Sequence, residues 1–101
     1  MRLNLYQRQT IINAVKACFG PRAKVKLFGS RTDDAAKGGD IDLLISTDMY
    51  EVQDIIRAEL RCQMKLQQAL GEQKIDMLID YPGRSFHPPI FSIAEQSGVP
   101  L

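Results

Sequence analysis

Apolar residues recur at helical spacing over the first stretch of the chain. Leu5, Ile11, Ile12, Val15, Cys18 and Phe19 share one side of a helix running from about Asn4 to Cys18. Asn4 and Gln7 have the spacing of a capping box, and Gly20-Pro21 closes the element. Val25-Lys26-Leu27-Phe28 is short, apolar and β-compatible, and it runs into Gly29-Ser30. A polar stretch from Arg31 to Gly39 precedes a second strand, Asp40-Ile41-Asp42-Leu43-Leu44-Ile45. Asp48 and Glu51 repeat the capping-box spacing and open a long helix through about Leu70, stopped by Gly71. Its apolar side is expected to hold Val52, Ile55, Ile56, Leu60 and Met64. A third strand, Lys74 to Ile79, breaks at Tyr81-Pro82-Gly83, and Pro88 to Gln96 reads as a closing helix with Gly98 behind it.

The order α-β-β-α-β-α predicts an α/β (α+β) fold, a small mixed sheet flanked by helices. A long helical crossover joins the second and third strands, which favours a parallel pair. The short polar link between the first and second leaves their relative direction open. At 101 residues the chain has the size of one domain, spanning 1–101. Thirteen basic against 12 acidic residues rule out a nucleic-acid binder whose affinity rests on overall charge. No apolar run approaches the ~18 residues of a spanning helix, and MRLNLYQRQT has no signal core, so a cytoplasmic protein is expected. Cys18 and Cys62 fit two reduced, buried thiols better than a disulfide. So small a domain has little surface for both a catalytic centre and a substrate cleft, which points to a partner supplying part of the site.

Three features bear on chemistry. Asp40 and Asp42 stand at i and i+2 of a strand, on one face and roughly 6.5–7 Å apart along it. Two carboxylates there repel and resist desolvation unless a cation such as Mg²⁺ sits between them; the other reading is an edge strand with its acids in water. Asp76 is a third acid in an otherwise apolar strand, and it either completes the ligand set or pairs with Lys74. Asp80 has the same parity but sits where a turn ordinarily takes Asp. Phe28-Gly29-Ser30-Arg31 leaves the first strand with a flexible residue and a hydroxyl, suited to an anion but equally to an everyday turn. Arg31 could clamp phosphate or pair with Asp33 or Asp34.

Leu27-Phe28-Gly29-Ser30, nine intervening residues, then Asp40-Ile41-Asp42-Leu43, with Asp76 on a later strand, resembles the signature of the polymerase-β-like nucleotidyltransferase superfamily. The minimal nucleotidyltransferase (MNT) branch is the nearest likeness, over roughly Val25 to Ile79. The resemblance implies that Asp40, Asp42 and Asp76 hold two Mg²⁺ ions and serve as catalytic residues. In it, Asp76 ligates the catalytic metal and helps to deprotonate the attacking hydroxyl. Gly29 and Ser30 match the pair that holds the β- and γ-phosphates of a nucleoside triphosphate, with Arg31 a further contact. Two departures bear on the phosphate grip: Thr32-Asp33-Asp34 replaces the Ala-Arg-Gly of many members, and Gly39 replaces a small hydroxyl residue.

The implied reaction moves a nucleoside monophosphate, AMP from ATP, to a hydroxyl acceptor, with pyrophosphate leaving. The resemblance also implies a separately encoded, all-helical partner, of HEPN type or a substrate-binding subunit, in some pairs a toxin with this chain as antitoxin. The alternative is a non-catalytic nucleotide-binding module that works by docking on such a partner. A metal-dependent nuclease fits less well, because Gly29 and Ser30 would then be idle. His87, the lone histidine, is assigned no role in its Pro-rich turn. Arg57, Arg61 and Lys65 read as a solvated helix face, and Phe86, Ile90, Phe91 and Ile93 as packing on the sheet.

Overall fold

In the computed structural model, which describes residues 3–29 and 40–101, seven elements follow one another along the chain. They are α1 (Leu5–Phe19), β1 (Lys24–Phe28), β2 (Ile41–Ser46), α2 (Val52–Leu70), β3 (Ile75–Asp80), α3 (Pro89–Ser97) and β4 (Val99–Pro100). Asn4 caps α1 as its spacing predicts: its side chain accepts from the Gln7 amide, and Gln7 returns a bond to the Asn4 amide.

The sheet runs β3-β2-β1-β4. β2 and β3 are parallel, as the crossover requires, and β1 pairs antiparallel with β2. β4, too short and too proline-bound to read from sequence, adds an antiparallel edge on β1, with Leu27 opposite Val99. Alternation then sorts the side chains. Val25, Leu27, Ile41, Leu43, Ile45, Ile75 and Ile79 enter the main core under α1 and α2. On the opposite face Phe28 and Leu44 meet Phe91 and Ala94 of α3, with Leu78 beside them. That second face is the one on which Asp42 and Asp76 stand.

Three expectations need correction. The Asp48–Glu51 box does not form: α2 begins at Val52 with Glu51 as its N-cap and no side-chain capping bond. The loop before it is built on Thr47 instead, whose buried hydroxyl donates to the Phe19 carbonyl at 2.7 Å and accepts from the Met49 amide. The inner face of α2 is Ile55, Ala58, Cys62 and Leu66, whereas Val52, Ile56, Leu60 and Met64 are exposed by 51 to 63%. Small residues won the interface because Ala58 and Cys62 let α2 lie close to Ala14 and Cys18 of α1. Of Phe86, Ile90, Phe91 and Ile93 in the closing segment, only Phe91 is buried, and the other three remain exposed.

Candidate active site

β1 ends where β2 and β3 begin, and the three strands deliver their polar residues to that end of the sheet. Asp42 lies opposite Asp76 across the parallel pair and opposite Phe28 across the antiparallel one. Asp40 immediately precedes β2 on the same parity, and Lys74 precedes β3, with the Ile41 amide bonded to the Lys74 carbonyl at 3.0 Å. Adjacent strands stand roughly 4.8 Å apart, so the two central carboxylates are neighbours.

Gly29 closes the arrangement from the β1 side. Its backbone adopts φ +79°, and a Cβ placed there would run into the Asp42 carboxylate. The left-handed backbone angle favours glycine here, and any Cβ would force the Asp42 carboxylate to move.

The electrostatics follow from the packing. Partial burial raises the Asp42 pKa above the ordinary carboxylate range. The charges of Asp76 and Asp40 add to the rise, as does a hydrogen bond to the Asp76 side chain, and among the described residues Lys74 opposes it. Asp40 contributes to that field, but its Oδ2 also lies 3.8 Å from Lys74 Nζ. Lys74 thus pairs with Asp40 and not with Asp76, and its largely exposed side chain stands at the rim of the cluster. Among the described residues no three histidine, cysteine, aspartate or glutamate side chains are gathered to hold a metal ion. The structure therefore joins Asp42 to Asp76 and keeps Asp40 beside them in company with Lys74. Ser30, Arg31, Asp33, Asp34 and Gly39 lie outside the described residues.

Two contacts escaped the reading of the sequence. Lys74 reaches Asp40 and not the Asp76 that the sequence offers as its partner, a relation legible only once the strand pairing is known. His87 donates to or accepts from Asp80 through Nε2 at 2.8 Å and packs edge-on against Phe91. This clasp ties the loop after β3 to α3, and it employs Asp80 away from the Asp42–Asp76 pair.

Helices on both faces of a mixed four-stranded sheet, with acids gathered at one end, define a nucleotidyltransferase fold. The family model for the nucleotidyltransferase domain matches residues 8–96, and the chain belongs to that family, as a minimal nucleotidyltransferase of the polymerase-β-like superfamily. Among curated proteins, none matches the chain. Members of the family typically use a nucleoside triphosphate and a divalent metal. The donor set here suits such an ion: carboxylate oxygens alone, carrying more negative charge than the nearby ammonium offsets.

Proposed function

We propose that this chain is a metal-dependent nucleotidyltransferase that moves AMP from ATP to a hydroxyl acceptor. One observation carries the reading: Asp42 and Asp76 face each other on adjacent parallel strands, with the left-handed Gly29 backbone packed against the Asp42 carboxylate. Asp40, Asp42 and Asp76 would hold two Mg²⁺ ions, which when bound neutralise charge on the attacking and departing oxygens. Asp76, the more exposed of the facing pair, is placed to take the proton of the acceptor hydroxyl. Gly29, with Ser30 and Arg31 after it, would receive the β- and γ-phosphates, keeping the α-phosphate in line for attack.

The chain would act as the nucleotide-binding subunit beside an all-helical partner, of HEPN type or substrate-binding. The exposed row Val52, Ile56, Leu60 and Met64 supports this, because four apolar side chains in line on one helix are costly to leave in water. A cytoplasmic location accords with two unbridged cysteines, and no helix among the described residues is long and apolar enough to cross a membrane. The test is incubation with Mg²⁺, ATP labelled at the α-phosphate, and the co-expressed product of the adjacent reading frame. Label should pass to an acceptor with the wild type and fall on the order of 10²–10³-fold with Asp42→Asn. If neither protein transfers label while both bind the partner equally, the chain is a non-catalytic docking module.

A further inference from the structure

Lys74 stands at the acid cluster with its backbone pinned and its side chain largely exposed. Its carbonyl accepts from the Ile41 amide, which ties it to β2. On one side of it the Gln73 backbone is held at both ends by Gln67, whose side chain accepts from the Gln73 amide at 2.9 Å and donates to the Gln73 carbonyl at 2.6 Å. On the other, Gln63 donates to the Ile75 carbonyl at 2.9 Å. Two glutamines of α2 thus fix where β3 starts, and so where Lys74 emerges. The side chain itself is 68% exposed, and its ammonium reaches Asp40 only at 3.8 Å, the outer range of an ion pair. A flexible ammonium on a fixed root, beside three carboxylates, can change partners at little cost.

Resting on the metal-dependent reading above, we infer that Lys74 is a positioning residue of this site. It competes with a divalent cation for Asp40, and once displaced it presents its ammonium to an anionic oxygen of the bound nucleotide. The two roles make removal of its charge act in opposite directions. An ion approaching Asp40 gains a carboxylate that no longer has a rival, whereas a nucleotide loses a cation from the rim. A residue that merely braced the fold would weaken both kinds of binding together.

Isothermal titration of the full chain separates these cases, using Mn²⁺ alone and then ATP in the presence of saturating Mn²⁺. Lys74→Gln should bind Mn²⁺ about two- to fivefold more tightly than wild type, the size of an exposed ion pair. It should bind the nucleotide more weakly by a similar factor, and Lys74→Arg should restore wild-type behaviour for the nucleotide. Unchanged or weaker Mn²⁺ binding by a folded Lys74→Gln protein overturns this inference alone. A wild-type protein that takes up no Mn²⁺, with or without ATP, overturns the metal-dependent reading and this inference with it.

Discussion

The Asp42 carboxyl sits half-buried between Asp76 and Asp40, so desolvation and two like charges all favour its protonated form. The folded protein therefore holds that proton more tightly than the unfolded chain, whose aspartates titrate at the ordinary 3.8. Between 3.8 and the raised folded value, the native state binds more protons, and stability falls as pH rises. Above that raised value the full penalty is present. Asp42→Asn should then melt at a higher temperature than wild type near neutrality, and this advantage should vanish below about pH 4, where both states are protonated. Differential scanning fluorimetry across that range checks the sign. Added Mg²⁺ should raise the wild-type midpoint and leave the Asn variant nearly unmoved. Gly29, whose hydrogen leaves room for the carboxylate, belongs to the same arrangement.

Among the elements, α2 shows most clearly how packing overrules pattern. Two apolar rows run along it at spacings of three and four. The conspicuous one, Val52, Ile56, Leu60 and Met64, faces water; the inconspicuous one, Ile55, Ala58, Cys62 and Leu66, enters the core. Burial and the neighbouring Cys18 push the Cys62 thiol up to about 12, so it remains a neutral packing group. Leu66→Ala should destabilise the fold by about 2–5 kcal/mol, as removal of a fully buried leucine does. Leu60→Gln should stay within about 0.5 kcal/mol, which chemical denaturation of the two variants measures directly. The element order as far as α3, and the parallel β2–β3 pair that sets Asp42 beside Asp76, were legible because each depends on local spacing or on a crossover length. The inner face of α2, the Lys74–Asp40 pair and the His87–Asp80 clasp were not, because each depends on which distant surface arrives opposite. The failed Asp48–Glu51 box has the same origin: Thr47 found the Phe19 carbonyl, and the helix began later.

Across the whole molecule the topology divides labour between the two faces of one sheet. α1 and α2 cover the face that supplies most of the apolar core, while α3 packs on the other, where Asp42 and Asp76 stand together at one end, the proposed nucleotide site. Lys26 and Glu95, paired at 2.6 Å, fasten the far end of α3 to β1. A second acidic grouping, Asp80 and Glu95 with His87, lines a separate cleft of about 270 Å³ against α3 and offers an ion a rival destination. Paramagnetic broadening of amide resonances by Mn²⁺, recorded with a non-hydrolysable ATP analogue bound, distinguishes the two places. Signals from Gly29, Asp40, Asp42 and Asp76 should vanish first while those of His87 and Glu95 persist. Broadening centred on Asp80, His87 and Glu95, with Asp42 and Asp76 untouched, would contradict the proposed metal-dependent site.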